Sequence, residues 1–457
     1  MYAVVPGIAV SAAPEQTRNC LGFRQIAAAT PEAKDMNHTA RTSRRTLLQG
    51  ATAGLLVPAT ATVLGRDPVR AAPGTPPPNG YTANWVGNRP ADFARVGLSP
   101  SYHQQWEDGF RTAAVNADPD AYEWWYSDFT GDDGTVVSFT LKTRPTDGFE
   151  PDATEADRAP GVSLIITEPD GTNHRVVKNY TWDDFTSSTD RCDVRVGPFT
   201  FKGDLKTYRM RGADGDLAID LTLTSLVSPF RPGTGFRFLN DTDRYQAWFA
   251  AVPAGEASGT ITVAGKRRRF AGRGYHDHNW GNVPFAEFVD HWRWGRGSID
   301  QYAVIGVDFR LRPEYDSSSQ PILLVDDTRT GKRLIASFDP RAITATELDP
   351  RPHPDPAYPK DYYATVDWRY ANGTDHARVT MTDTENLIVA RQYLTDPSAA
   401  QQATMTRLGI DQVWYTRYDT TIGFELDAAG LTATGNGEGT LENAQFGMGS
   451  SPPKSTP

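Results

Sequence analysis

The strongest constraint on the fold is a period-two alternation of apolar and polar residues that recurs along the chain. In the segment 217–224, Leu217, Ile219, Leu221 and Leu223 share one face of an extended strand, as in a half-buried sheet. Short turn sequences rich in Gly, Asp and Asn separate such segments. Other β-rich segments lie at 135–142, 162–167, 245–252, 258–264, 301–310, 321–327, 361–370, 375–382, 413–419 and 438–446.

Strand number and chain length predict the architecture. Many short strands at this spacing are typical of sandwiches and barrels, and only the polar stretch 384–409 is expected to hold helix. A Pro-rich linker at 72–94 and a polar tail at 447–457 bound a segment that is too long for one small barrel. We therefore predict an all-β protein with two antiparallel β-barrel domains, at 95–282 and 283–446.

The charge balance and the cysteine content exclude several classes of protein. The 46 Lys and Arg against 56 Asp and Glu give a net charge of −10, which argues against a nucleic-acid binder with its basic face. Only Cys20 and Cys192 are present, which excludes a disulfide scaffold and a cysteine-based zinc site. Beyond the N-terminal region no apolar run approaches the roughly 20 residues of a membrane span.

An export signal is predicted near the N-terminus. The pair Arg44-Arg45 precedes a weakly apolar run at 50–65, and small residues follow at 69–71. This order is typical of a twin-arginine (Tat) signal peptide within residues 1–71, with Met36 as an alternative start. We therefore expect secretion through the Tat export machinery. An ordinary N-terminal helix with two adjacent arginines is the alternative.

The first candidate for chemistry is Glu123-Trp124-Trp125-Tyr126. In a strand, Glu123 and Trp125 share one face while Trp124 and Tyr126 share the other. A carboxylate among aromatics requires an Arg partner or lies in a functional pocket with a raised pKa. The alternative is an aromatic core strand whose Glu side chain reaches solvent.

The second candidate is the polar and aromatic cluster at 272–282. His276 and His278 lie on one face of an extended segment, with Asp277 and Asn279 opposite. His and Asp are the usual carriers of acid–base catalysis. Two alternatives stay open: a metal pair of His276 and His278 that lacks an assigned third ligand, and a hydrogen-bonded segment between barrels.

The third candidate lies at 290–297 and in the strand after it. Trp292 and Trp294 share a face, where they either line an apolar pocket that stabilises a cation or belong to a simple core. The following strand carries Asp308 among apolar residues, and a carboxyl group pointing into a barrel there would have a raised pKa. No phosphate loop, dinucleotide fingerprint or nucleophile elbow is present in the sequence.

Together these motifs resemble the carotenoid 1,2-hydratase (hydroxyneurosporene synthase) family, a group that includes kievitone-hydratase-like and fungal Diels–Alderase-like proteins. The resemblance rests on the segments 123–126, 275–281 and 292–296, and spans about residues 95–446. It implies two lipocalin-like β-barrel domains, with the segment 275–281 near their junction and an apolar pocket nearby.

The resemblance also implies catalytic residues. The family's His-x-Trp pair corresponds to His278 and Trp280, and the Asp of its later Tyr-x-Asp pair to Asp308, whereas Gly306 stands at the Tyr position. Asp277 also matches the family motif, and Glu442 is a weaker match. The residues expected to bind substrate are Glu123, Trp124, Trp125, Tyr126, Tyr275, Trp292, Trp294 and Tyr302.

The implied mechanism needs no cofactor and no metal. Asp308 protonates an alkene, Trp280 and Trp292 stabilise the tertiary carbocation, and a water oriented by His278 adds to it. We therefore expect a hydratase-like lyase whose partner is a hydrophobic small-molecule substrate of isoprenoid or polyketide type. One alternative is a carrier that binds a hydrophobic ligand without turnover. Another is a pericyclase or isomerase in which His278 or Asp277 only orients a polyene.

Overall fold

The predicted β-rich body forms an all-β structure. The computed structural model describes residues 84–112, 120–144, 159–393, 399–447 and 449–452. The predicted signal region at 1–71 lies outside the described residues, as does most of the predicted linker. Among the described residues, no helix combines the length and the apolar character required to cross a bilayer.

The first sheet is built from twelve antiparallel strands. These are β1 (Tyr122–Gly131), β2 (Val136–Lys142), β3 (Gly161–Thr167), β4 (Asn173–Asn179), β5 (Phe185–Ser187), β6 (Asp193–Val196), β7 (Phe199–Gly203), β8 (Thr207–Asp214), β9 (Leu217–Ser225), β10 (Phe236–Phe238), β11 (Tyr245–Val263) and β12 (Lys266–Gly281). Their order across the sheet is β4-β3-β2-β1-β12-β11-β9-β8-β7-β6-β5, and β10 pairs with β11. Strands β1 and β12 therefore lie next to each other although they are distant in sequence.

The second sheet is built from nine antiparallel strands. These are β13 (Val289–Ile299), β14 (Tyr302–Leu311), β15 (Ser319–Asp327), β16 (Lys332–Ser337), β17 (Ile343–Pro352), β18 (Asp361–Asn372), β19 (Asp375–Tyr393), β20 (Val413–Ala428) and β21 (Leu431–Phe446). Their order is β16-β15-β14-β13-β21-β20-β19-β18-β17. The predicted division into domains at 282/283 falls between the two sheets, and we retain it as a proposal.

Among the residues that the structure describes, helices are few and short. They are α1 (Pro90–Val96), α2 (Phe285–Phe288) and α3 (Ala399–Leu408), with 3₁₀ turns at Gln105–Asp108, Trp182–Asp184 and Pro313–Tyr315. Helix α1 ends at Gly97, whose φ of 68° lies in the left-handed region that favours glycine. Helix α2 is a single turn between the sheets, and its Phe285 is buried.

Each sheet curves around an apolar core of its own, as expected of a lipocalin-like fold. In the first sheet, Phe139 of β2 contacts Phe199 and Phe201 of β7, with ring centroids 6.1 and 5.9 Å apart. In the second sheet, Tyr302 of β14 contacts Phe424 of β20 at 5.3 Å. These strands are not neighbours in their sheets, so the contacts require the sheets to curve.

A separate apolar cluster joins the two sheets through their facing surfaces. Trp248 and Tyr275 of the first sheet belong to it together with Phe285, Trp292 and Trp294. Side chains on strands such as β1 and β12 therefore point alternately into the core of their own sheet and toward the other sheet. This alternation decides which residues can reach a ligand between the sheets.

Most predicted strands and all four predicted turns are confirmed. The turns at 131–134, 169–171, 213–215 and 372–373 join successive antiparallel strands. The prediction was wrong in two places. The segments 245–252 and 258–264 form the single strand β11. Its pairing with β12 shifts register between Phe249 and Gly255, where the alternation of the sequence is interrupted. Residues 384–393 continue β19 through bulged pairing with β20, and α3 is the only helix in the described part of 384–409.

Candidate functional site

A cavity of about 660 Å³ lies between the facing surfaces of the two sheets. Strands of the first sheet form its floor, strands of the second form its roof, and Phe285 of α2 lies beside them. Pockets of this size and aromatic character are typical of sites for small apolar ligands. The aromatic and polar groups that line it include Trp124, Tyr126, Trp248, Asp277, Asn279, Trp292, Trp294, Tyr415, Arg417 and Glu442.

Strand alternation decides which half of each sequence motif reaches the cavity. In the β1–β12 pair, Trp124 lies opposite Asn279 and Tyr126 opposite Asp277, and all four side chains line the cavity. The intervening residues of both strands point into the core of the first sheet. The predicted separation of Asp277 and Asn279 from the two histidines is therefore confirmed, and it places Asp277 at the cavity.

Asp277 is a buried carboxyl group on the cavity floor. Its Oδ2 accepts hydrogen bonds from Trp248 Nε1 and Tyr275 Oη, both at 2.8 Å, and its Oδ1 accepts one from Asn279 Nδ2 at 3.1 Å. Burial raises the pKa of Asp277 above its usual value, while these donors oppose the rise. The group therefore favours its neutral form more than a solvent-exposed Asp does, and it has donors in place when it ionises.

Glu442 is the corresponding carboxyl group in the roof. It pairs across the sheet with Trp294 on one side and Arg417 on the other, and Tyr415 Oη donates to its Oε1 at 2.5 Å. Burial raises the pKa of Glu442, Arg417 and Tyr415 oppose the rise, and the charge of Asp277 adds to it. The two carboxyl groups thus influence each other electrostatically across the cavity, as in many acid–base pairs.

An ion cluster between the two sheets holds Arg417 in place. Asp128 contacts the guanidinium groups of Arg417 and Arg296, and it accepts a hydrogen bond from Tyr126 Oη at 2.9 Å. Arg417 also contacts Tyr126 Oη, and burial is the main reason that the pKa of Tyr126 rises to about 12. Tyr126 therefore remains a neutral hydroxyl in the cavity wall at any physiological pH.

The other half of the same motifs forms a fully buried cluster in the core of the first sheet. Glu123 Oε1 lies 2.8 Å from Nε2 of His278, and its carboxylate accepts three more hydrogen bonds, from Arg111 and Thr112. Trp125 stacks on the His278 ring at 4.8 Å. Glu123, Trp125 and His278 do not line the cavity, and Trp280, 4.6 Å from His278, also lies in the core of the first sheet.

A second buried histidine adjoins this pair. Nε2 of His276 lies 3.1 Å from Oδ2 of Asp108, which also accepts a 2.6 Å hydrogen bond from Tyr208 Oη. Burial lowers the pKa of His276, but Asp108 and the Tyr126 carbonyl outweigh it, so the pKa is raised overall. Cys192 completes a group of three donor atoms within 4.8 Å that has the chemistry to hold a soft divalent cation. In the structure His276 bonds to Asp108, and the Cys192 thiol donates to the carbonyl of Phe201 at 3.6 Å.

Asp308 occupies the core of the second sheet. Its neighbours along β14, Val307 and Phe309, line the cavity, so Asp308 points to the opposite face. The carboxylate accepts hydrogen bonds from Arg310 at 2.9 Å and Ser319 at 2.6 Å. Burial raises its pKa, as expected from the sequence, with Arg310 opposing the rise. Tyr302 lies on the same face of β14 and packs in the same core.

The remaining predicted residues line the cavity or contact a residue that lines it, and two residues of the cavity were not predicted. Trp292 and Trp294 line the roof, and Tyr275, on the same face of β12 as Asp277, donates a hydrogen bond to the Asp277 carboxylate. Sequence reasoning did not select Trp248 or Arg417. Both are large or charged residues at positions that strand alternation assigns to a buried face, and this was the available sequence signal. Only the long-range pairing of strands shows which residues each of them contacts.

The fold and the cavity define a class: a lipocalin-like protein of two antiparallel sheets with an aromatic ligand cavity between them. No family model matches the chain. The solved structure of CghA has the same fold, with a TM-score of 0.53 and 14% identity over 72% of this chain and 90% of that one. CghA solved with Sch210972 gives a TM-score of 0.51 and 16% identity over the same shares.

Two sequence relatives show more specifically which proteins the chain resembles. The chain is 28% identical over 254 residues to hydroxyneurosporene dehydrogenase of Chlorobaculum tepidum, covering 48% of this chain and 64% of that relative. It is 40% identical over 75 residues to the quinolone epoxide rearrangement protein asqO of Emericella nidulans, covering 16% of this chain and 19% of that one. The matches thus span less than two thirds of either relative. They confirm the predicted resemblance to the hydratase and Diels–Alderase-like superfamily.

Proposed function

We propose that this protein is an enzyme of hydratase or pericyclase type that acts on an apolar substrate of isoprenoid or polyketide type. The observation that carries the proposal is the pair of buried carboxyl groups, Asp277 and Glu442, with raised pKa values in one aromatic cavity. A neutral carboxyl group in such surroundings can donate a proton or a strong hydrogen bond. The sequence resemblance to hydroxyneurosporene dehydrogenase supports an apolar substrate of isoprenoid type.

In the hydratase form of the proposal, Asp277 is the acid. Its proton adds to one carbon of an alkene, and the electron pair of the double bond forms the new C–H bond. The other carbon becomes a tertiary cation, which the π faces of Trp124, Trp292 and Trp294 stabilise. A water forms the C–O bond and gives its proton to Glu442 as carboxylate. The donors around Asp277 stabilise its anion until the proton returns from Glu442 through solvent.

We propose Asp277, and not Asp308, as the acid because of the direction in which each carboxyl group points. The Asp308 carboxyl points away from the cavity, whereas Asp277 lies on its floor. His278 and Trp280, which the resemblance implied as catalytic, lie behind the floor. We propose that they are positioning residues, because the His278–Glu123 pair fixes the strands that carry Asp277 and Tyr126.

The test uses two isosteric variants in protein purified from its host. Asp277→Asn should abolish conversion of the co-purified ligand, followed by mass spectrometry, while Asp308→Asn retains most of it. Hydration would appear as the mass of one added water, and a pericyclic reaction as an isomer of unchanged mass. Loss of activity only in Asp308→Asn would refute the assignment. A ligand that wild type binds but never converts would instead identify a carrier.

We also propose that the protein is secreted. The twin-arginine sequence at Arg44-Arg45 is the support for secretion through the Tat machinery. Export of a fusion of residues 1–71 to a reporter, compared with an Arg44→Lys/Arg45→Lys fusion, tests it. A reporter retained in the cytoplasm in both cases would contradict it.

A further inference from the structure

The cavity floor continues well beyond its aromatic end. Asp277 on β12, Tyr126 on β1, Thr140 on β2, Ser163 on β3 and Val177 on β4 are successive cross-strand neighbours, and all five line the cavity. Four steps of about 4.8 Å place the ends of this row about 19 Å apart along the sheet. The cavity is therefore long enough for an extended chain.

The chemistry of the floor changes along this row. The end near Asp277 is aromatic, whereas the far end presents the hydroxyl groups of Ser138, Thr140 and Ser163 and the guanidinium group of Arg175. Arg175 is exposed on the edge strand β4, two residues from Val177 and on the same face. The far end is thus an open mouth that carries these hydroxyl groups and one positive charge beside the apolar Ile165 and Val177, and we call it the polar mouth.

Arg175 differs from the other cations nearby in its partners. Lys178, on the opposite face of β4, pairs with Asp214 at 3.1 Å. Arg417 in the roof is held by Asp128. Across the described ranges of the chain, Arg175 makes no ion pair and no hydrogen bond, and the only carboxyl groups lining the cavity are Asp277 and Glu442. A planar guanidinium group in this position matches a planar anion.

We propose that the cavity selects amphiphilic substrates that end in a carboxylate, and that Arg175 is the specificity-determining residue that binds it. The proposal rests on the proposed function, since it assumes that the apolar chain extends to Asp277. The separation of Arg175 from Asp277 then sets how far from the acid the reacting double bond lies. The hydroxyl groups of Ser138 and Ser163 complete the polar mouth.

The test measures binding rather than turnover. A conjugated octadecatetraenoic acid and its methyl ester are titrated into the full chain, and their fluorescence reports entry into an apolar site. Wild type should bind the acid about five to ten times more tightly than the ester, in line with a partly exposed ion pair with hydrogen bonds. Arg175→Gln should remove this preference. Arg211→Gln, which removes an exposed arginine of the same sheet outside the cavity, should keep it.

The outcomes separate this inference from the proposed function. Equal binding of acid and ester by wild type, or a preference that survives in Arg175→Gln, would overturn the role of Arg175 and leave the apolar cavity in place. Failure of both ligands to bind would overturn this inference, because an extended polyene chain would then not occupy the cavity, while the comparison of Asp277→Asn with Asp308→Asn would still decide the proposed function. Loss of the preference in Arg211→Gln as well would show that net charge, and not Arg175, governs it.

Discussion

Glu123→Gln should reveal how strongly the buried cluster behind the floor supports the fold. Glu123 accepts four hydrogen bonds: Oε1 from Arg111 N and His278 Nε2, and Oε2 from the backbone and side chain of Thr112. In Gln one of these oxygens becomes an NH₂ group, so two donors lose their acceptor and face another donor. Each buried hydrogen bond to a charged group contributes about 1.5 to 3 kcal/mol. We therefore expect the free energy of unfolding to fall by about 3 to 5 kcal/mol.

Urea denaturation followed by tryptophan fluorescence measures this loss as a lower midpoint at an unchanged slope. Glu256→Gln is the matched control, because Glu256 is exposed on β11 of the same sheet, and it should change stability by about 0.5 kcal/mol or less. Activity per folded molecule should remain near wild type in Glu123→Gln. A variant as stable as wild type but inactive would refute the structural role and return Glu123 and His278 to catalysis.

Two further substitutions test the cavity and the second core. In the proposed mechanism Asp277 is the acid, so activity should be present below its raised pKa and should be lost as pH rises through it. Trp248→Phe removes a donor that stabilises the carboxylate and should move this alkaline limit up by about one pH unit. Gly306→Ala places a Cβ 2.7 Å from the Trp368 ring and should lower the free energy of unfolding by about 1 to 3 kcal/mol, measured by urea denaturation.

Each of these has a control in the same chain. Trp182→Phe changes a tryptophan on a 3₁₀ turn away from the cavity and should leave the pH profile unchanged. Gly423→Ala adds a Cβ whose nearest neighbour, in Thr380, is 3.9 Å away, so it should be tolerated. A pH limit that moves down in Trp248→Phe, or equal stability of the two glycine variants, would contradict the reasoning.

The alternation in the sequence predicted which residues share a face, but not what each face meets. It separated Asp277 from His278 and Trp124 from Trp125 correctly, because side chains alternate in any strand. The resemblance implied a catalytic role for His278. Only the pairing of β1 with β12 and the stacking of the two sheets show that Asp277 lines the cavity. These contacts join residues more than 100 positions apart, a separation that local pattern does not encode.

Gly306 is a second position whose explanation lies in a strand that is distant in sequence. The absence of the family's Tyr was visible in the sequence, but its reason was not. Trp368 of β18 fills the space beside Gly306, and its Nε1 donates to the carbonyl of Val307 at 3.1 Å. A tyrosine at this position would collide with that ring. The identity of residue 306 therefore depends on a strand more than 50 residues later in the chain.

The two faces of β12 also differ in what a substitution on them would disturb. Even-numbered positions such as His276 and His278 maintain the core of the first sheet, while odd-numbered positions such as Asp277 and Asn279 contact the ligand space. New specificities can therefore arise at alternate codons of one strand without loss of the scaffold. A mutant library restricted to the odd positions should yield mostly folded proteins, whereas one restricted to the even positions should not.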